Sequence, residues 1–353
     1  MNYGLLPLHL PRSLLPVMGI VLVATGCTAQ AGESAGPAGS VPVRLGYFPN
    51  VTHATAIVGV EEGFFSEALG EAATLQPQVF NAGTDATEAL FSGALDATYI
   101  GPNPAINAFA QSNGEAIRII AGAASGGASL VVSHEIASAA DLVGRTLASP
   151  SLGNTQDVAL RAWLAEQGYQ TDLEGGGDVS IRPQANAEAL QAFALGQIDG
   201  AWVPEPWATR MVQEGGGHVL VDERDLWPDG QFVTTHLIVA TQFLDDHPDI
   251  VKRLLEGHVA ANAFVNEHGD EAQQIVATAI HDLTDADLPE GTLAAAWTNL
   301  TFTVDPIASS LATSAEHATA LGLLDPVDLD EIYALGPLNA VLAAAGEPEV
   351  SQP

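Results

Sequence analysis

Two stretches of this chain repeat one another at a fixed spacing, and this constrains the fold more than any other feature. Ala82, Ala89, Gly93 and Asp96 recur as Ala185, Ala192, Gly196 and Asp199, each pair 103 residues apart. Between them Leu95 matches Ile198, Tyr99 matches Trp202 and Ile100 matches Val203. Each copy reads as a helix, a glycine stop and a strand entered through aspartate. A glycine just past a helix takes the left-handed conformation that turns the chain back. Self-similarity at a fixed period marks a duplicated unit, so two similar α/β lobes are expected. Asp96 and Asp199 read as turn residues and Trp202 as core.

The surrounding sequence alternates strand-like and helix-like segments, as an α/β fold with largely parallel sheets requires. Strands are expected at 41–47, 75–80, 95–100 and 117–123, and helices at 54–65 and 84–92. A further helix opens at Asn103-Pro104, since proline suits the first helical turn. The segment 247–267 spaces Ile250, Leu254, Leu255, Val259 and Phe264 at close to helical intervals, and is expected to complete the first lobe. The organisation expected is a leader at 1–26, a tether at 27–40 and lobe one beginning at 41–132. Lobe two follows at 133–234, and 235–353 returns to lobe one and its C-terminal helices. Two crossings between lobes would form a hinge near Val132 and Thr235.

The leader rests on a short apolar run at 13–24, followed by Thr25-Gly26-Cys27. That run is short for a membrane span, and Cys27 is the only cysteine, so no disulfide can form within the chain. The segment resembles a bacterial lipoprotein signal, which implies lipid attachment at Cys27 and export to the outer face of the membrane. Low-complexity sequence at 28–40 reads as a flexible tether. Gly32-Glu33-Ser34-Ala35-Gly36 within it matches the spacing of a hydrolase nucleophile turn, but neither the strand nor the helix that the motif needs flanks it.

Charge narrows the function. The chain has 43 acidic residues against ten lysines and arginines, a net charge of −33. Nucleic acid is excluded as a partner, because it demands clustered cations. The acidity reads as a solubility device, suited to a saline medium where screening is strong. Lys252 is the sole lysine and is not followed by Ser or Thr, so no lysine-containing phosphate loop can form. No calcium-loop or paired-histidine zinc motif occurs. No cofactor, no metal and no enzyme activity are expected.

The segment Arg44-Leu-Gly-Tyr-Phe-Pro-Asn-Val-Thr-His53 resembles the sulfonate, nitrate, taurine and thiamine-pyrimidine branch of ABC-importer binding proteins. Similar motifs are Glu62-Gly-Phe-Phe65, Gly93-Ala-Leu-Asp96, Ile100-Gly-Pro-Asn-Pro104, Leu152-Gly-Asn-Thr-Gln156 and Trp202-Val-Pro-Glu-Pro-Trp207. The resemblance implies a type II periplasmic-binding-protein fold, two α/β lobes joined by a two-strand hinge. It implies a monomer that hands ligand to an ABC permease and its ATPase. An aliphatic sulfonate is the expected ligand. Nitrate or bicarbonate, taurine and a thiamine-pyrimidine precursor are the alternatives, with a ligand sensor or a secreted enzyme as rival classes.

Matching positions name the candidate site: Asn50, Thr52, His53, Gly83, Thr84, Gly101 and Asn103 from one lobe. Gly153, Asn154, Thr155, Gln156, Glu205 and Trp207 come from the other, with Ser125 and Gly127 near the hinge. Free N–H groups at helix N-termini, joined by neutral hydroxyls and amides, could hold an anion without lysine. Glu205 fits this scheme poorly, because its carboxylate would repel the anion.

Overall fold

In the computed structural model, which describes Met1 and residues 40–351, the sequence repeat becomes two β-sheets of matching order. The first sheet contains β1 (Val41–Tyr47), β2 (Ala73–Val79), β3 (Ala97–Ile100), β4 (Ile117–Gly126), β10 (Val233–Ala240) and β11 (Leu300–Phe302). The second contains β5 (Ala128–Val132), β6 (Thr146–Ser149), β7 (Ser180–Pro183), β8 (Gly200–Pro204) and β9 (His218–Asp222). Their orders are β11-β4-β10-β3-β1-β2 and β7-β6-β8-β5-β9. β1 runs parallel to β2 and β3, with β10 antiparallel to β3. Likewise β6 runs parallel to β7 and β8, with β5 antiparallel to β8. The series β2-β1-β3-β10-β4 and β7-β6-β8-β5-β9 therefore correspond strand for strand.

The repeated aspartates act identically in both copies. Asp96 accepts the Arg44 backbone N–H at 2.7 Å and the Arg44 Nε–H at 2.9 Å. Asp199 accepts the Thr146 N–H at 2.8 Å and pairs with Arg145 at 3.0 Å. Each carboxylate thus fastens the start of one strand, β3 or β8, to its parallel neighbour, β1 or β6.

The helices, in chain order, are α1 (Ala54–Glu61), α2 (Phe64–Leu69), α3 (Gly83–Phe91), α4 (Pro102–Gln111), α5 (Thr155–Glu166), α6 (Asn186–Ala194) and α7 (Trp207–Gln213). There follow α8 (Thr241–Asp246), α9 (Pro248–Glu267), α10 (Gly269–Thr284), α11 (Thr292–Trp297), α12 (Ala308–Ala320) and α13 (Gly336–Ala345). The single helix expected at 54–65 is two, because Gly63 at φ 77° ends one before Phe64 begins the next. α9 packs on α1 and α2 and sends Ile250, Leu254, Leu255 and Val265 into the core of the first sheet. Each such side chain, fully buried, contributes roughly 1.5–3 kcal/mol. The second sheet is covered on both faces, by Trp163 and Trp202 on one and by Phe193 and Met211 on the other. Among the described residues no helix is long and apolar enough to cross a membrane.

The crossings differ from those expected. Ala128–Val132 pairs with β8 and β9 in the second sheet, so the chain leaves the first sheet at Gly126-Gly127, not after Val132. Both glycines hold positive φ, 77° and 70°. A Cβ on Gly126 would stand 2.6 Å from the Asn299 carbonyl oxygen, and one on Gly127 would overlap Leu300. Gly127 was expected near the hinge, but the similar apolar runs on either side hid that the crossing itself falls there. The return strand begins at Val233, two positions before Thr235.

Candidate ligand-binding cleft

A cavity of about 30 Å³ lies where the loops leaving the parallel strands of both sheets meet. Phe48, Asn50, Thr52 and His53 follow β1, Asn81 follows β2, and Gly101 follows β3. From the second sheet, Pro150, Asn154, Thr155 and Gln156 follow β6, Asn186 opens the helix after β7, and Pro204 ends β8. Thr234 and Thr235, on the returning strand β10, complete the wall. Open α/β sheets bind ligands at this end of their strands.

None of these lining residues is Asp, Glu, Lys or Arg. Asn50, Thr52, His53, Asn154, Thr155, Gln156, Thr234 and Thr235 are all buried. His53 stacks on Phe48 with ring centroids 4.5 Å apart. Its Nδ1 accepts the Phe48 backbone N–H at 3.3 Å, which puts the ring proton on Nε2. Burial pushes its pKa down to about 3, so the ring is neutral and acts as an N–H donor rather than a cation. Thr155 Oγ1 and Asn186 Oδ1 are buried with no hydrogen-bond partner in the protein. A buried, unpaired polar atom costs about 1–3 kcal/mol unless something pairs with it.

Helix N-termini contribute unequally. α5 enters through Asn154, whose Oδ1 accepts the Thr155 N–H at 2.8 Å. The buried Asp157 carboxylate takes the Gly153 N–H, the Ser149 hydroxyl and the Arg161 Nε–H. α4 opens Pro102-Asn103-Pro104, so Asn103 alone supplies an N–H in its first three positions. The cleft therefore depends on side-chain amides and hydroxyls at least as much as on helix ends.

Of the expected site residues, Asn50, Thr52, His53, Gly101, Asn154, Thr155 and Gln156 line this cavity. The other eight lie elsewhere. Gly83 is buried against Pro104, and Thr84 is exposed on the first turn of α3. Asn103 donates its Nδ2–H to the Ser314 carbonyl at 3.3 Å, tying α4 to α12. Ser125 accepts the Phe232 N–H at 3.3 Å, and Gly127 forms the crossing. Gly153 shapes the turn before α5 at φ 70°. Asn81, Asn186, Thr234 and Thr235 went unexpected. Asn186 was within reach of the repeat, since it corresponds to Gly83.

Glu205 resolves its own difficulty. Its carboxylate caps α7, accepting the Thr209 N–H at 3.1 Å and the Thr209 hydroxyl at 3.0 Å. It also accepts the Asn299 Nδ2–H at 2.7 Å from the other lobe. Burial raises its pKa, opposed by these donors. Two more bonds span the lobes here: Val51 N–H to the Glu205 carbonyl at 3.2 Å, and Trp207 Nε1–H to Asn50 Oδ1 at 2.9 Å. Trp207 lines a larger cavity of about 740 Å³, which shares Asn50, Asn81 and Asn186 with the small one. The two sheets belong to one compact unit, closed across this seam. Cys27 and the 32–36 motif lie outside the described residues. Among the described residues no group of three His, Cys, Asp or Glu side chains could hold a metal.

The two paired α/β sheets have the periplasmic-binding-protein fold. The periplasmic nitrate-binding protein of Synechocystis PCC 6803 superposes with a TM-score of 0.72 at 16% identity, over 88% of this chain and 90% of that one. Residues 36–281 match the NMT1-like family model, and the chain belongs to that family. A relative in Brucella abortus (strain 2308), named provisionally as a binding protein, is 30% identical over 244 residues, 68% of this chain and 72% of its own. The taurine-binding periplasmic protein of Escherichia coli (strain K12) is 27% identical over 209 residues, 58% of this chain and 61% of its own.

Proposed function

We propose that this protein is the extracytoplasmic substrate-binding component of an ABC importer, one that captures an aliphatic sulfonate between its lobes and delivers it to a membrane permease and its ATPase. It performs no chemistry on the ligand, and the chain is exported and held to the membrane by lipid on Cys27. The observation that carries the reading is the small interlobe cavity, walled by neutral polar side chains at the carboxyl ends of both sets of parallel strands. The taurine- and nitrate-binding names of similar proteins point the same way.

Such a site suits an anion held by short contacts in a protein of the same sign. A distant cation cluster would have to overcome the net charge of −33 and would weaken steeply with salt. Short, buried hydrogen bonds from Thr155, His53 and the amides would not. A thermal-shift screen of sulfonates, taurine, nitrate and bicarbonate tests the reading, since ligand at a hundred times Kd stabilises by about 2.7 kcal/mol. Calorimetry of the best compound at low and high sodium chloride then separates the two modes of holding. The reading expects a sulfonate to bind and salt to shift Kd by less than about fivefold, an allowance for residual screening. Failure of every anion to stabilise the protein would overturn it. Tighter binding of nitrate or bicarbonate than of any sulfonate would keep the anion and replace the ligand.

A further inference from the structure

Helix α11 holds to the first lobe by its apolar face and to the second by polar bonds at its two ends. Leu293 and Ala296 are buried in the core of the first sheet, and Trp297 packs on Phe302 of β11 with ring centroids 4.7 Å apart. Against α11 lies α7 of the second lobe, whose Ala208 and Met211 belong to a separate apolar cluster. Polar bonds join the two helices. At the start of α11 the Thr292 hydroxyl donates to Gln213 Oε1, at the end of α7, at 2.6 Å. Just past the end of α11, Asn299 Nδ2–H donates at 2.7 Å to Glu205 Oε1, which precedes α7. Start is paired with end, so the helices lie antiparallel and pinned at both ends.

The Asn299 oxygen is engaged as well as its nitrogen. Arg224 of the second lobe donates Nη2–H to Asn299 Oδ1 at 3.2 Å and Nη1–H to the Thr298 carbonyl at 3.4 Å. Asp222 in turn accepts from Arg224 Nη2 at 2.6 Å. A cation on the amide oxygen and a carboxylate on the amide nitrogen fix which way Asn299 points. None of Thr292, Asn299, Gln213 and Arg224 lines the small cavity. When two surfaces part, exposed apolar area costs free energy in proportion to its extent. A neutral hydrogen bond is largely replaced by one to water. The face buried in the first core therefore stays, and the polar ends let go.

We propose that α11 is a closure latch. It travels with the first lobe, and Thr292 and Asn299 at its ends grip α7 and the residue leading into it. These two positioning residues set ligand affinity without touching the ligand. The inference rests on the two-lobed capture reading above and adds to it the side chains that hold the closed form. A protein that binds only when closed loses apparent affinity in proportion to the fraction left open, so a weakened latch raises Kd.

The test exchanges donor and acceptor across the latch in the full chain. Asn299→Asp sets two carboxylates face to face, one of them buried, and so opposes closure. Adding Glu205→Gln puts a donor opposite the new acceptor, while Arg224 still faces a carboxylate oxygen. One readout is Kd by calorimetry, with methanesulfonate, taurine, nitrate and bicarbonate as probes. The other is amide exchange in the ligand-free protein at Val51, whose N–H donates across the seam to the Glu205 carbonyl. Asn299→Asp is expected to raise both by about tenfold or more, and the double variant to return both to within about threefold of wild type. Thr292→Val, which deletes one neutral bond, should raise both about fivefold. Amides within β1 and β6 should exchange as in the wild type throughout. Unchanged Val51 exchange in Asn299→Asp would overturn the latch whether or not any probe binds, as would an unchanged Kd for a probe that does. So would a double variant no better than Asn299→Asp alone, or faster exchange throughout β1 and β6, the mark of lost packing. If exchange follows the latch while none of the four anions binds, the latch stands and the anion-capture reading falls.

Discussion

Gly101 sits at the seam where the lobes meet, and substituting it separates closure from folding. A Cβ built at Gly101 overlaps Thr155 Oγ1 in the opposite lobe and stands 3.4 Å from Thr155 Cβ. The backbone there, φ −71° and ψ 161°, suits any residue, so Gly101→Ala adds no strain of its own. Thr155 cannot yield cheaply, because it is β-branched and buried at the start of α5. Forcing a methyl into a packed contact costs about 1–3 kcal/mol, and here the cost falls on the closed form alone. Ligand affinity should drop by about one to two orders of magnitude in calorimetry. Unfolding free energy in urea should change by less than about 0.5 kcal/mol, because the lobes can part at this seam and alanine also restricts the unfolded chain. Thr155→Ala in the same protein removes the overlapping atom, so a double-mutant cycle should show coupling of about 1 kcal/mol or more. Unchanged affinity in Gly101→Ala would refute closure at this contact. A stability loss as large as the affinity loss would show that the seam is permanent core.

Two other substitutions probe the seam and the hinge. Trp207→Phe keeps an aromatic ring, though a smaller one, and deletes the Nε1–H that Asn50 accepts. Losing one such bond costs about 1 kcal/mol, so Kd should rise about fivefold in calorimetry with the melting temperature little altered; an unchanged Kd would show that the bond contributes nothing to closure. Glu223, at the return crossing, accepts the Trp202 Nε1–H at 2.7 Å, and burial pushes its pKa up to about 7. A carboxyl whose pKa is raised on folding favours the folded state at low pH, and that advantage is lost as pH rises from about 4.5 through 7. Relative to Glu223→Gln, the wild type should therefore lose up to about 3 kcal/mol of unfolding free energy between pH 4 and 8. His53, His236 and His258, with pKa values pushed down by burial to about 3, 4 and 4, act oppositely, losing stability as pH falls below 6.5. They are common to both proteins and cancel in the difference, and a flat difference would refute the assignment to Glu223.

The repeat made the architecture legible, because a helix, its glycine stop and an aspartate-led strand are local events that leave local marks. Asp96 and Asp199 went further than their turns suggested, since the arginines they bind lie 52 and 54 positions away. The crossing at Gly126-Gly127 was legible only as a position near the hinge, with the switch itself expected after Val132. The apolar runs before and after it look alike in sequence, and only strand pairing shows that they belong to different sheets. Half the cavity lining was legible where a residue follows the central parallel strand of its sheet, β1 or β6, as with Asn50, Thr52, His53, Asn154, Thr155 and Gln156. Thr234 and Thr235 were not, because they approach the cavity along β10, where a strand residue reads as scaffold. Asn103 misled for the converse reason: it opens a helix at the correct strand end, yet its side chain turns away to Ser314. Glu205 looked hostile to an anion until its three donors were seen to engage it.

The account turns on where the anion sits and what holds it. A crystal of the complex with methanesulfonate, examined by sulfur anomalous scattering, tests this most directly. The predicted result is a peak inside the cavity, with sulfonate oxygens within hydrogen-bond distance of Thr155 Oγ1 and His53 Nε2 and no arginine or lysine nitrogen in contact. A peak against Arg210 or Arg224, or one lying outside the seam between the two sheets, would contradict it.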